Sequence, residues 1–200
     1  PHSDQLVMTA AGKIVLVPLN DTDESEYKQS PSAQLLGDYH NGPILMVASQ
    51  MLAQGQTDPV LVTSGLDGCL RVWGDSGNML CKHTFRQTTE TGGGHETSGS
   101  ATDTLAVAIT ALAVAPHDSM VAVGTEVGSL HLVYLISESQ GEELSSIYLA
   151  SLSNLQLSHG PLNSIVFHPS SDLIATTCGS ALYIIEVSSQ KSSNLLTLLA

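Results

Sequence analysis

The stretch VTSGLDGCLRVW, residues 62–73, decides how this chain is read. Two short apolar runs flank a tight turn that carries Asp67 and Gly68, and the chain's one tryptophan, Trp73, closes the second run. Runs of this length, bounded by Gly and Asp, are the pattern of strands joined by a turn. The same punctuation recurs in residues 42–77, 108–137 and 160–189. Each holds an apolar run, a polar turn, a second apolar run, a Gly-bearing turn and a third apolar run. In the second and third segments Pro116 and Pro169 follow the first run at matching places. A further run follows each: MLCKHTF (79–85), SIYLASL (146–152) and LLTLL (195–199).

Residues 5–19 (QLVMTAAGKIVLVPL) read as the second and third strands of one more unit, with AQLLG (33–37) as its last. The expected fold is therefore all-β: four-stranded antiparallel blades of a β-propeller, about four of them present, within a ring of about seven. The boundaries are a partial blade at 5–37 and blades at 42–85, 106–152 and 160–199. Residues 86–104 are poor in apolar side chains and are expected to be a flexible insertion. NDTDESEYKQSPS (20–32) and SESQGEEL (137–144) are expected to be acidic, polar loops within blades.

The balance of the 200 residues fits that reading. The hydrophobic share is 42%, enough for a core, while only 12% of residues are charged, which suits turn-rich β structure better than exposed helices. Six Lys and Arg face nineteen Asp and Glu, a formal charge of −13. No basic patch is available for nucleic acid or for anionic lipid. Net charge of this size aids solubility and leaves room for a basic partner. Cys69, Cys81 and Cys178 are odd in number and lack CxxC spacing, which points to a reducing, intracellular setting, cytoplasmic rather than nuclear. No apolar run approaches the roughly 18 residues of a membrane span, and no stretch reads as a signal peptide. The chain starts PHSDQ without Met, and its first unit lacks a first strand, so a fragment or processed form is expected.

Residues 40–73 resemble the WD-repeat family of β-propellers. In that family a His before the first strand, a Ser or Thr on the second, an Asp in the next turn and a Trp on the third form one hydrogen-bond network. Here His40, Thr63, Asp67 and Trp73 match, with Thr63 four residues before Asp67 and Trp73 six after it. The dipeptide that names the family is altered, because Trp73 is followed by Gly74 and Asp75 comes one later. The physical role of such a set is to satisfy buried polar groups: the carboxylate takes turn N–H groups and an imidazole, the imidazole meets the hydroxyl, and the hydroxyl meets the indole N–H. In the second full unit the Thr, Asp and Trp positions fall on Val123, Val127 and Val133, and in the third on Ala175, Gly179 and Ile185. His159 echoes His40.

Other residue patterns in the chain touch on catalytic, phosphate-binding and metal chemistry. His40, Thr63 and Asp67 have the residue types of a hydrolytic triad, but no GxSxG elbow accompanies them and their spacing is that of the structural network. TGGGHETSG (91–99) lacks the Lys-Ser/Thr of a phosphate loop. His83 and His95 do not make a metal set with Cys81 or Glu96. His117 and His168 sit beside turns and read as surface residues. DTDESE (21–26) lacks the calcium-loop pattern.

The resemblance implies a non-catalytic scaffold that presents loops on a rigid propeller to proteins or peptides, without cofactor or metal. An accessory, regulatory or substrate-receptor propeller of a larger enzyme is the alternative. The loops after the second and fourth strands share one end, so partner contacts are expected at Asp38, Tyr39, Arg71 and His131. Closing such a ring takes additional blades or a partner chain.

Overall fold

In a computed structural model of the chain, residues 5–10, 13–18, 34–35, 40–50, 60–74, 77–88, 104–140, 143–187 and 196–199 are described. Every regular element among them is a β-strand. β1 (Gln5–Ala10), β2 (Lys13–Pro18) and β3 (Gln34–Leu35) form a three-stranded antiparallel sheet in the order β1-β2-β3. β4 (Ile44–Gln50), β5 (Val60–Gly65), β6 (Cys69–Trp73) and β7 (Met79–Thr84) form a four-stranded meander. β8 (Arg86–Thr88) and β9 (Thr104–Ala106) form a two-stranded ribbon. β10 (Ile109–Val114), β11 (Met120–Thr125), β12 (Ser129–Gln140) and β13 (Glu143–Gln156) make the next meander. β14 (Ser164–Phe167), β15 (Leu173–Cys178), β16 (Ala181–Val187) and β17 (Leu196–Leu199) make the last.

Two expectations are corrected by the pairing. Residues 137–140 and 143–144 are strand and not loop: the β12–β13 ladder continues through Ser137↔Ile147 to Gln140↔Glu143. A two-stranded ladder is held by backbone hydrogen bonds, and polar side chains do not forbid it. The insertion at 86–104 is zipped at its ends, where Arg86 pairs with Ala106 and Thr88 with Thr104. The acidic stretch 20–32 and the centre of the insertion, 89–103, lie outside the described residues.

The meanders stack face to face. One core cluster joins the β4–β7 and β10–β13 sheets through Val62, Leu70, Val72, Val121, Val123 and Val133. A second joins β10–β13 to β14–β17 through Ala122, Leu130, Leu132, Phe167, Ile174 and Ile185. β12 serves both: Leu130 and Leu132 point one way, Val133 and Leu135 the other. A sheet buried on both faces needs apolar residues at successive positions, which is why residues 132–136 of this strand, LVYLI, read as an apolar run rather than an alternation. The first strands of the meanders are neighbours, with β10 against both β4 and β14. Backbone hydrogen bonds stitch one end of the stack: Phe85 N to Gly68 O (2.9 Å), Val107 N to Phe85 O (3.0 Å), Leu157 N to Gly128 O (3.0 Å) and Leu162 N to Thr125 O (3.2 Å). Among the described residues no strand pair closes the stack into a ring.

The two faces of the last sheet predict unequal mutational costs. Ile185→Ala, on the covered face, should lower the unfolding free energy by about 2–5 kcal/mol. Val166→Ala, on the opposite face, should cost less than about 1 kcal/mol. Urea titrations of the two variants check this, and equal losses would contradict the stacking.

Candidate functional site

Thr63 and Trp73 share a face of the β4–β7 sheet because the strand period is two: Leu61 pairs with Trp73 and Thr63 with Arg71. The turn between β5 and β6 places Asp67 at the end of that face. Gly68 adopts φ 69°, which lets the chain reverse. Gly65 is needed for a different reason: a Cβ there would lie 2.7 Å from Pro43 O and 2.9 Å from His40 Nδ1. The missing side chain lets the imidazole lie against the strand end.

The four residues named from sequence meet in one chain of hydrogen bonds. His40 Nδ1 lies 2.9 Å from Asp67 Oδ1, His40 Nε2 lies 2.9 Å from Thr63 Oγ1, and Trp73 Nε1 donates to Thr63 Oγ1 at 2.9 Å. The indole can only donate, so the hydroxyl accepts from it and gives its own proton to Nε2. Nδ1 then carries the ring proton and donates to Asp67. Asp67 takes three further donors: Cys69 N at 3.1 Å, Asn41 N at 3.0 Å and Arg71 Nη1 at 2.9 Å. Trp73 is buried against Ile44, Leu61 and Met79.

Electrostatics follow from this geometry. Burial pushes the Asp67 carboxyl up, but hydrogen bonds from His40, Arg71 and the Asn41 N–H outweigh it and hold the group well below the usual carboxylate range. Burial dominates at His40 and depresses its pKa despite the Asp67 hydrogen bond, so the ring is neutral at pH 7. Thr63 is 0% exposed and its hydroxyl is engaged in both directions. As arranged, it presents no attacking oxygen to a substrate.

The later sheets solve the same position differently. Val123 and Val133 fill it with apolar packing, and Glu126 rather than Val127 takes the carboxylate's part, its Oε1 accepting from Ala108 N at 2.9 Å. In the last sheet the Thr position is Thr176, not Ala175. The β15–β16 turn is only Gly179–Ser180, with Cys178 paired to Ala181, so the register moves by one residue. Thr176 is buried and donates to Ser164 O at 2.8 Å. His159, expected to echo His40, is exposed, because that turn offers no carboxylate to hold it.

The expected partner contacts fare differently from their placement on loops. Asp38 and Tyr39 lie outside the described residues. Arg71 lies within β6, 3% exposed, bound to Asp67; two residues before Trp73, it shares that residue's face. His131 lies within β12, half-buried at the seam between two sheets, its ring 4.9 Å from Phe85. His83 packs on the same phenyl ring at 4.8 Å. Among the described residues, those exposed at the end carrying the turns include Asn41, Pro43, Leu66, Glu126, His159 and Pro161. Alternation at period two back from Trp73 would have excluded Arg71 from a loop. Among the described residues no cluster of three or more His, Cys, Asp or Glu side chains is assembled.

No protein-family model matches the chain, and no curated protein does. Among solved structures, U3-55K, a WD40 β-propeller protein, matches with a TM-score of 0.56 at 18% identity, over 90% of this chain and 46% of that one. This chain thus spans less than half the length of that neighbour. At such identity the likeness is one of fold: antiparallel sheets arranged as propeller blades.

Two predictions follow from the buried groups. Asp67→Asn removes the charge that four donors share and should lower stability by about 1–3 kcal/mol, read by urea denaturation. Burial, with a smaller effect from His83, brings the His131 pKa down to about 4, so the folded state resists its protonation. An unfolded His binds its proton near about pH 6.5, so stability should be full above that value and fall as pH drops toward 4. His131→Gln should make the stability–pH slope in that window shallower. An unchanged slope would mean that the seam does not hold the ring neutral.

Proposed function

We propose that this chain is a segment of a WD-repeat propeller that serves as a non-catalytic scaffold for protein or peptide partners. One observation carries the reading: the His40–Thr63–Asp67–Trp73 network is closed and buried inside a four-stranded sheet. Its polar atoms are consumed in fixing strands, so recognition falls to the loops that the rigid sheets display. The turn end offers Leu66, 48% exposed, together with Asn41, Glu126, His159 and Pro161. A formal charge of −13 favours partners with basic surfaces and disfavours nucleic acid. Three free thiols support a reducing, cytoplasmic setting.

The test is retention of proteins from a cell extract on the immobilised chain, compared with the double variant Leu66→Asp/Pro161→Asp. The variant should lose a defined set of bound proteins, while its circular dichroism and unfolding midpoint stay as in the wild type. Identical retention by both would remove the turn end as the binding surface. Ester or peptide turnover by the wild type that disappears in a folded Thr63→Ala variant would overturn the non-catalytic reading.

A further inference from the structure

The outer strands of the three meanders guard their free edges unequally. A strand edge carries unpaired N–H and C=O groups, and short length or a charged side chain along it discourages pairing with another chain. β17 is four residues long, and β7 carries the exposed Lys82. β13 has neither device: it runs for 14 residues, and between Leu144 and Gln156 it holds no charge and no proline. Its sheet is packed on both faces by other sheets of this chain, so the faces are closed and the edge remains. Among the described residues no strand pairs with the outer side of β13.

The register shows which groups that edge offers. Leu135 N donates to Ser119 O at 2.8 Å, so Leu135 turns its backbone toward β11. Successive residues of a strand turn theirs to alternate sides. Tyr134 and Ile136 therefore face β13, where they meet Ala150 and Tyr148. Ile147, Leu149 and Ser151 are left with N–H and C=O pointing outward. Residues 146–151 pair with 133–138 without a break, and both bulges of the ladder lie outside them.

This edge is complementary to itself. With two copies antiparallel about Leu149, Leu149 meets Leu149 of the second copy and Ile147 meets Ser151 of the second copy. Each such pair is of the kind that exchanges two hydrogen bonds. Between them Tyr148, 41% exposed, meets Ala150 of the second copy, a large side chain against a small one. The net charge of −13 opposes association, but the strands meet where neither is charged. Glu138 and Glu143 lie on one side of Leu149 in each copy, so the two-fold axis sends them to opposite ends of the joint. That separation exceeds the about 8 Å over which charges act at physiological salt. A basic partner, by contrast, would find no carboxylate along this stretch to pair with.

We infer that β13 pairs antiparallel with β13 of a second copy across a two-fold axis at Leu149, so that two meanders become one continuous sheet. Among the described residues each copy offers one such edge, so the contact is isologous and closes at two copies. It lies apart from the turn end and does not rest on the scaffold reading.

Light scattering on the wild-type chain over a concentration series, in about 0.15 M salt, should show the mass rising from one copy to two. In the dimer the two Tyr148 side chains are diagonal neighbours, about 7–8 Å apart. Tyr148→Glu and Tyr148→Lys should therefore each weaken the dimer about tenfold, and an equimolar mixture of the two should restore it. Both replace an exposed side chain, and circular dichroism checks that they fold. Ser151→Pro removes an outward N–H and none directed at β12, and it should weaken the dimer too. The Ile147 and Leu149 amides should be protected from hydrogen exchange in the dimer and lose that protection on dilution. A wild type that stays monomeric throughout overturns the inference. So does a dimer that Tyr148→Glu leaves unchanged, or a mixture of the charged variants that stays monomeric. Leu66→Asp/Pro161→Asp should leave the dimer intact, so failure at this edge and failure of the turn-end reading are told apart.

Discussion

The carboxylate of Asp67 is the fixed point of the best-formed sheet. It gathers donors from three parts of the chain: the loop before β4 through His40 and Asn41 N, its own turn through Cys69 N, and β6 through Arg71. Each is a hydrogen bond to a charged acceptor, the stronger kind. Because the donors are fixed in space by different elements, the turn, the entering loop and the third strand cannot move independently. The neutral imidazole passes the constraint on to Thr63, and Thr63 passes it to the indole. One ionised group thus ties the entering loop, β5, the turn and β6 together.

The neighbouring sheets do without that network because their constraint comes from both faces. β10–β13 lies between two sheets, and its strands are apolar on each side. Val123 and Val133 replace hydroxyl and indole together, leaving no polar atom stranded, which costs far less than removing one partner alone. The β4–β7 sheet is therefore held by polar geometry and its successors mainly by packing. Glu126 and Thr176 survive as single hydrogen-bonding pieces of the pattern, each tied to a backbone group at the start of its sheet.

This division explains what could be read from sequence. Turn spacing exposed the repeats, and the fixed intervals from Thr63 through Asp67 to Trp73 exposed the network, because both are local and rest on specific residue types. Counting from the turn puts the Thr position of the last sheet on Ala175 rather than Thr176, since a shortened turn leaves no mark in composition. Arg71 reads from sequence as a loop position, because the loops after the second and fourth strands share one end. Its burial depends on Asp67 lying across the turn, a relation that only the folded register supplies. The ladder through Ser137 to Gln140 was hidden for the opposite reason, as its polar side chains give no apolar signal although the backbone pairs.

Coverage of the sheets carries the functional consequence. A sheet buried on both faces is inert to the outside, and its chemistry is spent internally; only its ends and its open edge can recognise anything. A sheet covered on one face keeps a second surface with the composition of a core. The β14–β17 sheet is in that position, and Glu186 sits where uncharged residues stand in its counterparts. A carboxylate beside apolar side chains weakens indiscriminate association, because any apolar surface laid over it must desolvate the charge. Among the described residues the last sheet therefore has one face packed like its predecessors and a second that combines exposed apolar side chains with one carboxylate.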